Sequence, residues 1–456
     1  MMKMRIPALA LALAWLPLGP VHAADDTKPN IVVILVDDLG SGDVSCFLRQ
    51  EVKTPNIDRL AKSGVKFSSG YVTHSLCGPS RAALFSGVYP QRIGFRDNAG
   101  GIPATQPLLP GVLRDAGYRT ALIGKWHSKG PMPHERGCFD ETLCSAVSTP
   151  FIDYFKPKLA RNGKVETFNE YSTDLFAREA TEFIDRNRNH PFALTVTFNA
   201  PHIRRVLLGA QTLRANYDTA VAAGQHPDVP KDPTARPGEA AKFAEQFPGD
   251  SARADTVATI TALDEAVGRI LDKLQQCDLE KKTIVFFLAD NGGHPENRSE
   301  NQPLRDYKWS AYEGGLRVPF LASYPGVFPA GIDFPEPVSS LDIFATCAAL
   351  TGAKAPAQLD GVDLTPFLKG ENKTAPHDAL FFHMGNQRAV RQGQWKLVFT
   401  PNRDPELFDL SQDIAEKTNL AATNAPLVQA MIAKWNAWDA QMPPAIRGAA
   451  KPPKEE

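Results

Sequence analysis

"NIVVILVDD", Asn30 to Asp38, is an apolar run without alternation that stops on two carboxylates. A strand with one wet face alternates apolar and polar residues, whereas a strand covered on both faces reads as a continuous Val/Ile/Leu run, the habit of parallel sheets. Three further runs read the same way: "RTALIG" (Arg119 to Gly124), "PFALTVTF" (Pro191 to Phe198) and "TIVFFLA" (Thr283 to Ala289). Helical segments lie between them. In "TVATITALDEAVGRILDKLQQ", Leu263, Val267, Ile270, Leu271 and Leu274 form one apolar stripe. Strands alternating with helices predict an α/β fold, a large, mostly parallel mixed sheet sandwiched by helices.

The outer limits of the chain follow from composition. Residues 1–23, "MMKMRIPALALALAWLPLGPVHA", have two early cations, a short apolar run and a small-residue end at Val21 and Ala23. This is the pattern of a secretory signal peptide, and it predicts a periplasmic or secreted protein in an oxidising compartment. No other stretch approaches the roughly 20 apolar residues of a membrane span. With 50 basic and 51 acidic residues the chain lacks the basic excess of a nucleic-acid binder. Six cysteines among 456 residues are too few for a disulfide scaffold, although "CFDETLC" spaces Cys138 and Cys144 for one local bridge. Setting Cys77 aside leaves an odd number, so at least one buried free thiol is expected.

The main domain is expected over 28–370. Within it, Pro201 to Asp250 is rich in Pro, Gly, Ala and Asp and reads as a long irregular insertion near the sheet edge. Over 376–445, "ALFFHM", "QRAVRQGQWKLVF" and "PELFDL" read as short antiparallel strands followed by a helix in "APLVQAMIAKWNAWDAQM". This predicts a small α+β C-terminal subdomain, with 446–456 as a flexible tail. There is no internal repeat.

The strand ends carry the chemistry. Asp37 and Asp38 follow one run, and Asp290 and Asn291 follow another in "DNGG". Ligands of open α/β sheets bind beyond the carboxyl ends of strands. Three carboxylates and an amide form a hard oxygen set that suits Ca²⁺, with Mg²⁺ as the alternative, and argues against zinc. Taken singly, each pair also fits an ordinary turn. The other two runs deliver cations or imidazoles, Lys125 and His127 in "GKWH" and His202 in "NAPH", and Lys308 and Arg317 come later. A divalent cation among such groups is built for an oxyanion, a sulfate or phosphate ester.

"SLCGPSRAALFSG", Ser75 to Gly87, places Cys77 at the mouth of a helix, with Pro79 in its first turn and Leu84 and Phe85 packed inward. A cysteine there would ordinarily be an acidified nucleophile. That role fits poorly with hard-metal chemistry in an oxidising compartment.

"CGPSRAALFSG" resembles the type I sulfatase signature CxPSRxxLLTG of the alkaline phosphatase superfamily, with Phe85 and Ser86 in place of the commoner Leu and Thr. The resemblance extends through "PNIVVILVDDLGSGD", "TPNIDRLAKSGVKF", "GYRTALIGKWH", "NAPH", "DNGG", "YEGGLRVPF", "WKLVF" and "ELFDLSQD". It implies that a formylglycine-generating maturation enzyme oxidises Cys77 to Cα-formylglycine (3-oxoalanine). One hydroxyl of its hydrate then attacks sulfur, and the second loses its proton to expel sulfate. It further implies Asp37, Asp38, Asp290 and Asn291 as Ca²⁺ ligands, joined by residue 77. Arg81 would hold the formylglycine hydroxyl and Lys125 and Lys308 would contact sulfate. His127 would be the base of the elimination, and His202 would lie beside the leaving oxygen, with Lys308 sharing the acid role. Arg204 and Arg205 stand where the family often has a proline, and the family's additional serine has two candidates, Ser145 and Ser148.

The function this implies is hydrolysis of a sulfuric ester, of a carbohydrate, with aryl sulfates as surrogates and with Arg204, Arg205, His294 and Arg298 available to the substrate or else ordinary surface residues. A phosphonate or phosphate ester hydrolase would use the same metal, lysines and histidines. A catalytically silent glycan-binding protein would have no use for the oxidisable cysteine of CxPSR. The sequence says nothing of oligomeric state.

Overall fold

The computed structural model describes residues 28–49, 51–149, 151–204 and 232–443. The expected signal peptide, the expected C-terminal tail, Arg205 and the middle of the insertion lie outside these residues.

A ten-stranded sheet runs through the molecule in the order β11 (Ile332–Phe334), β2 (Val65–Phe67), β10 (Phe320–Ser323), β9 (Thr283–Ala289), β1 (Asn30–Asp37), β8 (Phe192–Pro201), β4 (Arg119–Gly124), β5 (Glu141–Ser145), β6 (Lys158–Arg161) and β7 (Lys164–Thr167). The four continuous apolar runs are its adjacent central strands, β9, β1, β8 and β4, all parallel. Antiparallel pairings enter only toward the edges, at β10 and β6. Central position explains the composition, because both faces are covered.

Successive residues of β1 divide between two cores, as the period of two requires. Val32, Ile34 and Val36 join Leu175, Phe176 and Phe183 of the helix α4 (Ser172–Asn187) and Leu263, Val267 and Ile270 of the helix α5 (Ser251–Gln276). Ile31, Val33 and Leu35 face the opposite core, with Leu84 and Phe85 of α2 (Cys77–Ser86) and Ile343 and Phe344 of α7 (Asp342–Thr351). α5 starts on Asp250, whose side chain accepts from the Arg253 N–H at 2.9 Å.

A second sheet of β13 (Leu380–Met384), β14 (Gln387–Gln392), β15 (Trp395–Phe399) and β16 (Glu406–Asp409) is antiparallel throughout. One face holds Val428, Met431, Trp435 and Trp438 of α9 (Ala425–Asp439), with Tyr89. Its other face packs Phe382, Met384 and Val398 against Tyr71, Ala311, Tyr312 and Leu316 of the main body.

Two expectations are corrected. All six cysteines are free thiols. Thr120, at the start of β4, donates its hydroxyl to the Cys138 carbonyl at 3.2 Å, while Cys144 pairs with Gly124 at the end of β4. Four strand steps, roughly 13 Å, therefore part them, whereas a bridge needs Cα atoms within about 7 Å. The insertion after residue 201 does not leave a sheet edge, because β8 lies between β1 and β4. Its described return, 232–250, lies on the helices instead: Arg236 pairs with Asp174 of α4 and Glu265 of α5.

Candidate active site

Sheet register makes the strand ends level. Val36 stands opposite Ala289, Asp37 opposite Pro201 and Gly124 opposite Thr197. The residues just beyond each strand, Asp38, Asp290, Asn291, Lys125, His127 and His202, therefore gather at one edge with Cys77, the first residue of α2. All are buried. Oxygen atoms of Asp37, Asp38 and Asp290 lie within 4.8 Å of one another, and Asp37, Cys77 and His202 form a second such group.

Each carboxylate is engaged by a cation. Lys125 Nζ donates to Asp37 Oδ2. Arg81 donates through Nε to Asp290 Oδ2 at 2.8 Å and through Nη1 to the Lys125 carbonyl at 2.9 Å. Lys308 Nζ reaches both oxygens of Asp38, at 2.7 and 2.9 Å. Asn291 Nδ2 donates to Asp38 Oδ1 at 2.7 Å. Two acceptors, Asp37 Oδ1 and Asn291 Oδ1, are buried with no hydrogen-bond partner. Burial and the neighbouring Asp37 push the Asp290 carboxyl up to about 6, the response of carboxylates crowded together. Orphaned oxygens beside mutually repelling carboxylates are what a hard divalent cation would relieve, so this donor set fits Ca²⁺.

The imidazoles are held neutral. Burial, then Lys125, pushes His202 down to about 3, and the same two causes lower His127 further. Burial and Lys308 push His294 down to about 3. The His202 Nδ1 lies 2.8 Å from the Ile203 carbonyl, which can only accept, so Nδ1 carries the proton and Nε2, 3.6 Å from Asp38, has the lone pair. His127 Nδ1 is buried without a partner. For Lys308, burial acts downward but Asp38 outweighs it, and the ammonium is held well above its usual range. The Cys77 thiol goes upward, because burial outweighs Lys125 and Lys308. The helix mouth therefore does not make a thiolate, contrary to the ordinary expectation for a cysteine there.

Several backbones at this edge are in the left-handed region: Asp38 (φ 60°), His127 (φ 56°), Asp306 (φ 70°) and Trp309 (φ 76°). Such conformations cost energy in non-glycine residues and gather at functional sites. A Cβ on Gly292 would stand 1.7 Å from the Gly314 carbonyl oxygen. The glycines of "DNGG" and "EGG" thus let two backbones meet and bring the loop of Lys308 to the strand ends.

Other candidates are placed differently. Ser145 ends β5 with its hydroxyl buried and unpartnered, whereas Ser148 is exposed. Arg204 pairs with Asp153 at 3.0 Å. His294 and Arg298 are buried, not surface groups. Arg298 turns away toward Asp250, 3.6 Å off at the start of α5. Arg317 pairs with Glu313 and donates to the Ser68 carbonyl at 2.6 Å, a structural tie. Sequence reading missed Asn98, which accepts from the Gly78 N–H at 3.0 Å and approaches Cys77 Sγ at 4.0 Å. It also missed Asn297 and Ser299, whose side chains donate to Asp38. Nothing local marks these loop residues, since their partners are distant in sequence.

Comparison with known proteins agrees with this geometry. The family model described as "Sulfatase" matches residues 29–353, and that described as "N-sulphoglucosamine sulphohydrolase, C-terminal" matches 305–436. The N-acetylgalactosamine-6-sulfatase of Mus musculus is 32% identical, across 91% of this chain and 80% of that protein. The crystal structure of Ps i-CgsB, also solved in complex with k-i-k-neocarrahexaose, has a TM-score of 0.80 at 32% identity and covers 92% of this chain and 94% of that one. The phosphonate monoester hydrolase of Agrobacterium radiobacter shares the fold, at a TM-score of 0.66, 22% identity and coverage of 91% and 96%. A catalytic edge of this composition, matched over most of its length, makes the chain a member of the sulfatase family and a sulfatase.

Proposed function

We propose that this enzyme hydrolyses sulfate esters of a saccharide, with Cys77 oxidised to Cα-formylglycine by a maturation enzyme and Ca²⁺ held by Asp37, Asp38, Asp290 and Asn291. The carrying observation is the oxygen-only cage with two orphaned acceptors beside a buried, protonated residue 77. Together the hydrated aldehyde and the cation supply an oxygen nucleophile for sulfur and withdrawal of charge from the sulfate oxygens. Lys125 and Lys308 bind those oxygens, and Arg81, fixed by Asp290 and the Lys125 carbonyl, orients residue 77. His127 accepts a proton at its unpartnered Nδ1. The leaving oxygen takes its proton from Lys308 Nζ, with His202 beside it, its ring held by the Ile203 carbonyl. Ser145, not Ser148, is the additional site hydroxyl.

The saccharide reading draws on the names of relatives acting on N-acetylgalactosamine 6-sulfate groups and binding a carrageenan-type hexasaccharide. The leader over 1–23 would direct export, and the catalytic and C-terminal units would divide near 370–376. The decisive test is peptide mass mapping of residue 77 after co-expression with a maturation enzyme, together with rates on matched aryl sulfate, phosphate and phosphonate esters. An aldehyde at residue 77 and a sulfate preference are expected. Residue 77 found wholly as thiol, or a clear phosphoryl preference, overturns the reading.

A further inference from the structure

Outside the catalytic cluster, the small sheet carries a cavity of about 380 Å³ lined by His383, Gln387, Arg388, Phe399, Thr400 and Arg403, among others. That is within the roughly 300–1,000 Å³ of ligand pockets. The Arg388 guanidinium lies 4.4 Å over the Phe399 ring and 4.6 Å over Trp435. Among the described residues neither Arg388 nor Arg403 has a carboxylate partner. His383 is already engaged by Asp439 and Arg96, each at 3.3 Å, so the cationic character comes from the two arginines. The Thr400 hydroxyl is buried and unpartnered.

The cavity is joined to the catalytic edge. Gln387 donates to the Trp309 carbonyl at 3.2 Å and accepts from the Ala311 N–H at 3.0 Å. Trp309 follows Lys308 directly, packs against His294 with ring centroids 4.7 Å apart and is 36% exposed. Met384, next to His383, lies 3.3 Å from the Ser75 N, two residues before Cys77. Three Cα steps, roughly 11 Å of chain, and this one side-chain contact connect His383 at the cavity to residue 77. An oligosaccharide of a few rings bridges that separation.

We propose that this cavity is a distal subsite, in which Arg388, Arg403 and Thr400 receive a second sulfate group of an oligosaccharide whose scissile sulfate lies at residue 77, with a sugar ring over Trp309. The inference rests on the sulfatase reading above. A guanidinium meets sulfate oxygens through two parallel N–H donors, and stacking on Phe399 and Trp435 fixes Arg388 before the ligand arrives. The subsite selects extended, multiply sulfated substrates over small sulfate esters.

The test compares wild type, Arg388→Gln and Arg403→Ala, each with its aldehyde content at residue 77 measured. The probes are an aryl sulfate, which ends short of the cavity, and singly and doubly sulfated tetra- to hexasaccharides of carrageenan and glycosaminoglycan type. Wild type should prefer a doubly sulfated substrate. On it each variant should lose roughly tenfold in kcat/KM, mainly through KM, the loss of about 1.4 kcal/mol of binding, while the aryl sulfate rate is unchanged. Equal losses on both substrates, or none, overturn the subsite. Arg403 is exposed, so its variant remains informative even if Arg388→Gln does not fold. A wild type that hydrolyses the aryl sulfate but gains nothing from a second sulfate overturns the subsite and leaves the sulfatase reading standing. A wild type carrying the aldehyde and hydrolysing no sulfate ester overturns both.

Discussion

Asp38 and Asp290 are the same residue type at the ends of adjacent strands, yet their neighbours push them apart. Burial raises both, but Lys308 against Asp38 reverses the sign there, while Asp37 adds to burial at Asp290. Asp290 therefore gains more from an added cation than Asp38 does. Asp290→Asn should weaken Ca²⁺ binding by on the order of 100-fold or more, since even outer-shell partners of a metal are worth 10–100-fold. Calcium titration followed by thermal melting would measure this, and an unchanged affinity would remove Asp290 from the metal set. Lys308 is tested separately. On the proposed mechanism Lys308→Met removes the proton donor to the leaving oxygen and one sulfate contact, and kcat should fall by about 10²–10³. The aldehyde content at residue 77 should be unaltered, so a parallel loss of aldehyde would instead assign Lys308 to maturation. These residues were legible in the sequence because each follows a strand or stands in a motif. Asn98, Asn297 and Trp309 were not, because each meets the site through a loop that no periodicity describes.

Continuous hydrophobicity made the four central strands readable, while the edge strands escaped notice. β2 and β11 have three residues each, too few for any period to emerge. β6 and β7 are partly exposed, so their composition is mixed. The gathering of the site followed from parallel register, which sets the ends level once the strands are known. The glycine contacts behind the Lys308 loop needed coordinates. Gly292→Ala places a methyl against the Gly314 carbonyl oxygen and must push that loop away. A loss of about 1–3 kcal/mol in stability is expected, together with a fall in kcat on an aryl sulfate larger than Asp250→Ala produces. Asp250→Ala removes the cap of α5, at about 1 kcal/mol, and the contact with Arg298, both apart from the Lys308 loop, and so serves as the control for stability. If the two variants with comparable melting points had equal kcat, close approach at Gly292 would not be what positions Lys308.

At the scale of the molecule, charged groups buried between the two sheets tie them together. Lys396 of β15 reaches Glu313 at 2.8 Å and Glu416 at 3.0 Å, all three fully buried. Sequence reading located the small sheet but gave no sign of this junction, whose members lie 83 residues apart in the Glu313–Lys396 contact. Lys396→Met would leave the buried Glu416 without its cation and Glu313 with Arg317 alone, and should cost about 3–5 kcal/mol. A second tie responds to pH. His377, ahead of β13, places Nε2 2.9 and 3.0 Å from the two oxygens of Asp342 at the start of α7. Burial lowers its pKa, but Asp342 outweighs burial and the net shift is upward. A histidine raised on folding binds its proton more tightly in the native state. Its contribution is therefore complete below the unfolded value of about 6.5 and is lost as pH rises through the higher folded value. Urea unfolding of wild type and His377→Gln should differ most near pH 5.5 and converge toward pH 9, by about 1.4 kcal/mol for each unit of upward shift. A gap between the two proteins that stays constant or widens as pH rises would show that the His377 contact with Asp342 is not an ion pair.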